Sequence, residues 1–188
     1  MFQSTSTTST GPVKSSLLFA YGVTNAGKSH TIMGPDTPTT HPSQKGIVPR
    51  SLNEIFARID NEPGGEHREV WMSYLEIYNE QVYDLMAPTS SSKQVQKKKS
   101  LKLQDRLGTI SVKGLTKHRV TSVEHGLKLA KFAKSRRSQG GTELNKESSR
   151  SHSVCQLELT SIRGMDTSTS TSTSTTATAT ATSLPTPP

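Results

Sequence analysis

Two apolar runs along the chain predict strands at the centre of a sheet. The run from Val70 to Tyr78 has hydrophobic side chains at both odd and even positions. Because successive side chains of a strand point to opposite faces, this pattern predicts a strand inside a sheet that is covered on both sides. The shorter run from Leu17 to Tyr21 is rich in leucine and aromatic residues, and it also predicts a buried strand.

Two further segments predict strands with other surroundings. From Ser153 to Ile162 apolar and polar residues alternate, so one face of the strand should be buried and the other wetter. The segment Leu101 to Ser122 predicts short strands with a turn near Leu107-Gly108. A short helical turn is expected over Asn79 to Met86.

Helical spacing predicts two amphipathic helices. The first follows Gly46 to Arg50 and ends by Asn61 to Gly65. Its apolar stripe recurs at i, i+3, i+4 and i+7, at Leu52, Ile55, Phe56 and Ile59. The second begins at a capping box, with Thr121 at the N-cap and Glu124 at N3, and runs to about Arg137 before Gly140-Gly141. Its stripe is Val123, Leu127 and Ala130.

Strands that alternate with helices predict an α/β layer with a central sheet. The composition of the two ends of the chain indicates which residues belong to this domain. Residues 1–14 are mostly Ser and Thr, and residues 165–188 are a low-complexity Thr, Ser, Ala and Pro tail. Neither end carries the apolar residues needed for a core, so both are predicted to be disordered. One domain is therefore expected over residues 15–164.

Charge and cysteine content limit the function further. The net charge is +8, from 23 basic and 15 acidic residues. A basic surface suits a polyanionic partner, although a plain solvated surface explains it equally well. Cys155 is the only cysteine, which excludes an intrachain disulfide and a multi-cysteine metal site. No apolar run is long enough to cross a membrane and no secretory signal is seen, so an intracellular location is expected.

A phosphate-binding loop pattern follows the first predicted strand. The spacing G-x-x-x-x-G-K-[ST] is met by Gly22, Gly27, Lys28 and Ser29. The glycines let the backbone approach an anion closely, and successive N–H groups of such a turn converge on phosphate oxygens. A helix is expected to begin near Lys28. Lys28 would reach the β- and γ-phosphates, and the Ser29 hydroxyl would bind Mg²⁺. The alternative is a glycine-rich surface turn that matches by chance.

A second polar motif, Asn145 to His152, lies between the second helix and the last strand. Serine hydroxyls can bind Mg²⁺ or orient water, and an arginine can hold a carboxylate or a γ-phosphate. By itself, the group Ser148, Ser149 and Arg150 is typical of an ordinary polar loop. Downstream of a phosphate-binding loop, it predicts a phosphate sensor.

With both motifs in place, the chain resembles the motor domain of a kinesin. Tyr21 to Gly34 is similar to the kinesin phosphate-binding loop, and Asn145 to His152 is similar to kinesin switch I. Gly46 to Arg50 and Ser73 to Glu80 also agree with the family in order and spacing. Within the two motifs, the residues lean toward the mitotic kinesin-like proteins of cytokinesis. The resemblance implies a P-loop NTPase fold, kinesin-motor-like, with a central mixed sheet flanked by helices.

The resemblance also implies a role for each motif residue. ATP would be bound by Gly22, Val23, Thr24, Asn25, Ala26, Gly27, Lys28, Ser29 and His30, with His30 near the adenine. Mg²⁺ would be bound by Ser29 and Ser149. Ser148 and Ser149 would sense the γ-phosphate and the attacking water, and Arg150 would form the switch salt bridge.

The partner implied by the resemblance is the microtubule, whose tubulin surface is acidic. Lys113 and Lys117 lie where kinesins contact it, although solvated lysines are an equal alternative. Neither nucleic acid nor a membrane is expected as a partner. The implied location is the cytoplasm and cytoskeleton, with the spindle or midzone as the finer expectation.

The resemblance covers about Ser15 to Arg163, the middle of a kinesin motor. The family's arginine–proline adenine clamp is not found in Met1 to Lys14. Its switch II, Asp-x-x-Gly-x-Glu, is not found after Gly164, where Met165-Asp166 leads into Thr-Ser repeats. The fold is therefore expected to be incomplete, without switch II, its glutamate partner for Arg150, or the helices that follow.

Three functions remain open at this point. The first is an ATP-dependent microtubule motor, represented by an incomplete chain, that couples ATP hydrolysis to movement. The second is a non-motile remnant that binds nucleotide or a partner without turnover. In a remnant whose role is only to bind a partner, Lys28→Ala would leave that role intact. The third is a small P-loop kinase, which the kinesin-like switch I disfavours.

Overall fold

The computed structural model describes residues 15–23, 25–35, 41, 44–61, 67–88, 100–106, 109–139, 151–162 and 174–182. Within them the chain forms eight strands and three helices. In chain order these are β1 (Ser16–Ala20), α1 (Lys28–Met33), α2 (Ile47–Asp60), β2 (His67–Tyr78), β3 (Gln81–Asp84), β4 (Ser100–Arg106), β5 (Thr109–Lys113), β6 (His118–Val120), α3 (Val123–Gln139), β7 (His152–Ile162) and β8 (Ser174–Thr182).

The strands form one mixed sheet, which confirms the predicted α/β architecture. Its order is β1-β8-β7-β2-β3-β4-β5, and β6 pairs with β2. The β1–β8 pair is parallel and the other pairs are antiparallel. On one side β2 pairs with β7 over eleven positions, and its other side is shared by β3 and β6. The run at Val70 to Tyr78 is therefore central, as its pattern predicts.

The core lies between the helices and one face of β2 and β7. Even-numbered β2 residues share that face, and Val70, Met72 and Tyr74 are all buried. Cys155 and Leu157 of β7 lie in register with Tyr74 and Met72, so they extend the same face. Helix residues complete the cluster: Ile32, Val48, Leu52, Ala130 and Ala133.

The helices form where their stripes predict, with one correction at the start of α3. The Ser122 hydroxyl accepts the backbone N–H of His125, so Ser122 is the N-cap in place of Thr121. His125 then occupies N3, and its Nδ1 accepts the Thr121 N–H. Glu124 moves to N2, where hydrogen bonds from its own backbone N–H and from Ser122 lower the pKa of its carboxyl. Gly126 lets α3 approach α2, because a Cβ there would lie 2.9 Å from Leu52 Cδ1.

The helical turn predicted over Asn79 to Met86 is wrong. Asn79 and Glu80 both have left-handed backbone angles, with φ of 49° and 60°, and they join β2 to β3 as a two-residue hairpin. Two successive residues with positive φ match the right-handed twist of the flanking strands. Glutamate is not a typical residue for this conformation, so the local sequence does not signal the turn.

The prediction that the first strand is buried is also wrong. β1 is the terminal strand of the described sheet and has one partner there, β8. Leu17 and Phe19 are 68% and 65% exposed, and Leu18 is 42% exposed. An apolar run indicates a strand, but burial depends on whether another layer covers it.

The tail departs from its predicted disorder over Ser174–Thr182. This segment is β8, which inserts between β1 and β7 and pairs with both. Threonine is β-branched and favours extended backbone, and the main-chain groups of β1 and β7 supply a ladder whatever the side chains are. The predictions for residues 1–14, 165–173 and 183–188 lie outside the described residues, as does most of the segment Pro88 to Ser100.

Substitution at an exposed and at a buried apolar position tests this arrangement of the sheet. Phe19→Lys should change the free energy of unfolding by no more than about 0.5 kcal/mol, because Phe19 is largely exposed on an edge strand. Leu52→Ala should lower it by about 2–5 kcal/mol, because Leu52 is fully buried. Urea unfolding followed by circular dichroism measures both. Equal losses in the two variants would place β1 in the core and contradict the edge position.

Candidate functional site

The glycine-rich loop between β1 and α1 has backbone angles that require its glycines. Gly22 has φ of 152° and Gly27 has φ of 85°, and Asn25 between them is left-handed at 65°. Gly27 is the N-cap of α1, and a Cβ there would meet no atom within 4 Å. The open space beside Gly27 is consistent with a ligand approaching the backbone, and its positive φ disfavours other residues.

Lys28 holds this loop together. Its ammonium donates to the carbonyl oxygen of Gly22 at 2.7 Å and to that of Val23 at 2.5 Å. The Ala26 N–H donates to the same Val23 carbonyl at 3.2 Å. A lysine ammonium has three donors, so these two bonds leave one donor for a further acceptor.

Two glycines fix α1 beside α2. Gly34 ends α1, with its N–H donating to the carbonyl of His30 at 2.7 Å. Gly46 is the N-cap of α2, and a Cβ on it would lie 2.3 Å from the Gly34 nitrogen. No side chain fits between these backbones, so the position of α1 is tied to that of α2.

Sheet register brings the start of the loop and the last residues of the second motif, Ser151 and His152, to the same end of the sheet. Ala20, the last residue of β1, pairs with Ala181 of β8, and Ala181 pairs on its other side with Ser153 of β7. Two strand spacings separate Ala20 from Ser153, which is about 10 Å. β1 leaves the sheet at this end and β7 enters it here. The loop after β1 therefore begins two strand spacings from where the second motif ends.

The predicted site residues are only partly described. Ser29 and His30 lie on the first turn of α1 and are exposed, and Lys28 is half-buried. Thr24 lies outside the described residues, as do Ser148, Ser149 and Arg150, so their predicted roles stay predictions. The described sequence resumes at Ser151, which is buried.

A buried ion pair at this end of the sheet was not predicted from the sequence. Arg137 lies at the predicted end of the second helix, yet its side chain is only 14% exposed and its Nε lies 3.6 Å from Glu76 Oε1. Glu76 itself falls on the same face of β2 as Val70, Met72 and Tyr74. A charged residue on the buried face of a strand needs a partner of opposite charge. The alternation along β2, which places Glu76 on that face, was the only sequence feature that indicated this ion pair.

The two lysines predicted to face a partner have different surroundings. Lys117 donates to Glu158 Oε2 at 2.5 Å and is 48% exposed, so its charge is already paired. Lys113 is exposed at the end of β5, and no ion pair to it occurs among the residues that are described. Leu103 and Ile110 on the same β4–β5 hairpin are 61% and 71% exposed.

The described part of the chain does not favour a nucleophilic cysteine, a metal site formed by His, Cys, Asp or Glu, or a membrane-spanning helix. Burial raises the pKa of the Cys155 thiol to about 12, so it is a poor nucleophile at neutral pH. Burial likewise raises the pKa of Tyr74, which contacts Ser153. In the described ranges, no group of three His, Cys, Asp or Glu residues is placed to bind a metal ion. Nor is any described helix both long and apolar enough to span a bilayer.

Known proteins resemble this chain over most of its length. The kinesin motor domain family model matches residues 13–180. The kinesin heavy chain of Gibberella moniliformis is 38% identical over 143 residues, covering 76% of this chain and 14% of its own length. Kinesin-like protein KIF27 of Mus musculus is 36% identical over 146 residues, covering 75% and 10%. The chain thus spans a small part of these relatives.

A solved structure of a fast kinesin supports the same fold. It aligns with a TM-score of 0.73 and 30% sequence identity, covering 92% of this chain and 45% of its own. The similarity confirms the predicted kinesin-motor-like fold and its incompleteness relative to a whole motor. The lean toward the mitotic subfamily stays a prediction.

Removing the Lys28 ammonium tests whether it holds the loop. Lys28→Met keeps the stem but loses the bonds to Gly22 and Val23, so backbone amides in residues 21–29 should exchange about tenfold faster. Hydrogen–deuterium exchange with mass spectrometry measures this, and Lys128→Met on the exposed surface of α3 is the control. Unchanged exchange in Lys28→Met would show that the loop is held by other contacts.

Proposed function

The chain belongs to the kinesin motor domain family, and from this premise we propose that residues 21–29 bind the phosphates of Mg²⁺-ATP as part of an ATP-dependent microtubule motor. The observation that supports the proposal most directly is that β1 leaves the sheet at the same end where β7 enters it. Ala20 and Ser153 pair with the same residue of β8, so the loop leaves the sheet about two strand spacings from the point where the chain enters it after the Asn145–Arg150 motif. ATP hydrolysis by a P-loop enzyme needs groups from both.

The loop supplies binding and charge stabilisation. A phosphate oxygen carries more negative charge than a carbonyl, so the Lys28 ammonium would exchange its bonds to Gly22 and Val23 for bonds to the β- and γ-phosphates. The left-handed turn at Gly27 leaves the backbone open to the phosphates. The Ser29 hydroxyl, on the first turn of α1, would hold Mg²⁺. Bound Mg²⁺ neutralises charge that builds up on the phosphate oxygens.

The second motif would act on the γ-phosphate. Ser148 and Ser149 would orient it and the attacking water, with Ser149 also on Mg²⁺, and Arg150 would stabilise the closed arrangement. Catalysis of this kind consists of positioning and electrostatic stabilisation, without a covalent intermediate on the protein. The fast kinesin of similar fold was studied for its ATPase mechanism and its interactions with microtubules, which supports the same assignment.

Nucleotide binding is tested with a fluorescent ATP analogue and the whole chain. Lys28→Ala should weaken binding about 10- to 100-fold, because it removes charge-assisted hydrogen bonds to phosphate. Ser29→Ala should lose mainly the part of the affinity that depends on Mg²⁺, measured with and without EDTA. Lys128→Ala is the matched charge control and should bind as the unchanged chain does.

The outcomes separate the possible functions. Equal binding by Lys28→Ala and the unchanged chain would contradict the proposal. Binding without release of phosphate would favour a nucleotide-binding remnant over a motor. Phosphate release that is stimulated by microtubules would support the motor, and with it a location on the cytoskeleton in the cytoplasm.

We propose that the β4–β5 hairpin takes part in microtubule binding. It lies at the β5 end of the sheet, with exposed apolar side chains, Leu103 and Ile110, on one face and the exposed cation of Lys113 on the other. An acidic lattice is attracted to such a surface, and the attraction weakens as salt rises. Lys117 contributes less, because Glu158 already pairs with it.

Charge reversal at Lys113 tests this surface. Lys113→Glu should weaken co-sedimentation with microtubules about threefold or more at low salt, and the difference should shrink at high salt. Lys128→Glu makes the same change of net charge on α3 and serves as the control. An equal loss of binding in the two variants would mean that net charge, and not the hairpin, determines binding.

A further inference from the structure

We propose that Arg137 is a positioning residue that ties the C-terminal end of α3 to the start of β7, and so sets where the Asn145–Arg150 motif lies relative to the phosphate loop. The inference rests on the proposed function, because the motif's role at the γ-phosphate belongs to it. Arg137 contacts Ser151, which directly follows Arg150, so it is assigned a positioning role that acts on the motif through this contact.

The guanidinium of Arg137 makes a set of bonds to the first residues of β7. Its Nη2 donates to the Ser151 carbonyl at 2.7 Å and to the Ser151 hydroxyl at 3.0 Å. Its Nε donates to the same hydroxyl at 3.1 Å, and its Nη1 donates to the Ser153 hydroxyl at 3.2 Å. The two serines are each 3% exposed, so water competes little for these bonds.

An ion pair also holds the guanidinium against the sheet. Glu76 of β2 lies 3.6 Å from Arg137 Nε, and its side chain is 8% exposed. Glu76 and Ser153 are partners in the β2–β7 ladder, so the arginine spans two adjacent strands. A buried charge pair resists separation, because either partner would have to be solvated again or left with fewer contacts.

These contacts join the two ends of the connection that carries the motif. Arg137 and Ser151 are 14 positions apart in sequence, and Ser151 directly follows Arg150. Closing a chain segment at its base reduces the conformations open to the residues within it. The same row of register partners runs from Glu76 through Ser153 and Ala181 to Ala20, which precedes the phosphate loop. Arg137 therefore fixes the start of β7, just after the motif, in the same row of the sheet as the residue before the phosphate loop.

Arginine is specifically suited to this position. Its planar fork places several N–H donors in fixed directions, which lets it bond two serines and a carboxylate together. A lysine of similar length keeps the positive charge beside Glu76 but has a single ammonium, so it cannot reach all the acceptors. Arg137→Lys thus separates the charge, needed for folding, from the fork, needed for positioning.

The experiment uses the whole chain and two independent readouts. Limited digestion with a glutamate-specific protease, followed by mass spectrometry, reports cleavage at Glu143 and Glu147, which lie in the connection. Affinities for a non-hydrolysable ATP analogue and for ADP, each with Mg²⁺, report discrimination of the γ-phosphate. Arg136→Lys is the matched control, since the neighbouring Arg136 bonds to the Ala87 carbonyl instead. Thermal melting checks that each variant is folded.

Arg137→Lys should raise cleavage at Glu143 and Glu147 about tenfold without nucleotide, and lower the ratio of ATP-analogue to ADP affinity about tenfold. Arg136→Lys should change neither. The double variant Ser151→Ala with Ser153→Ala keeps the Arg137–Glu76 pair and should show the same two effects. It keeps the inference testable if Arg137→Lys does not fold.

Three results would overturn the inference or its premise. Unchanged cleavage in both variants would show that Arg137 does not hold the connection. Raised cleavage with an unchanged affinity ratio would reduce Arg137 to a structural residue and refute the positioning role. No binding of either nucleotide by the unchanged chain would refute the proposed function, while the cleavage readout would still decide whether Arg137 fixes β7.

Discussion

The antiparallel ladder between β2 and β7 is the constraint on which the rest of the structure depends. Its eleven register pairs, from His67 with Ile162 to Ile77 with His152, join segments far apart in sequence. The ladder aligns the apolar faces of both strands into the core. It also sets where β7 begins, and therefore where the connection from α3 re-enters the sheet. Because this pairing is non-local, the site at the strand ends can form only when the sheet has formed.

Buried carboxylates extend this control from the sheet to its connections. Asp84, at the end of β3, accepts the N–H of Met86 at 2.7 Å and that of Thr116 at 2.8 Å, which ties the segment before β6 to β3. Glu76 lies next to Leu75, the register partner of Asp84, and its ion pair with Arg137 ties α3 to the sheet. A carboxylate removed from water requires donors, so each of these positions selects one arrangement of the chain around it.

The sequence was sufficient for features that depend on local pattern, and insufficient where distant contacts decide. Period 3.6 located α2 and α3, and the two-faced apolar run located β2. The same reasoning placed β1 in the core, because periodicity reports apolar content and not the layer that covers it. Composition predicted disorder for Ser174–Thr182, yet open ladders on β1 and β7 accept any extended backbone. The partner of Glu76, Arg137, lies on a different element and could not be paired from spacing.

The two cations at the loop end of the sheet, Lys28 and Arg137, differ in the burial of the groups that they contact. Lys28 bonds to two carbonyls of its own exposed loop, which are neutral acceptors that a phosphate can replace. Arg137 contacts buried hydroxyls and a buried carboxylate, which water or a ligand cannot easily replace. A ligand can recruit the first charge at little cost, because bonds of similar geometry are made as others break. It cannot recruit the second without opening the sheet's end. Burial, more than charge, therefore distinguishes the residue proposed to bind phosphate from the residue proposed to position the motif.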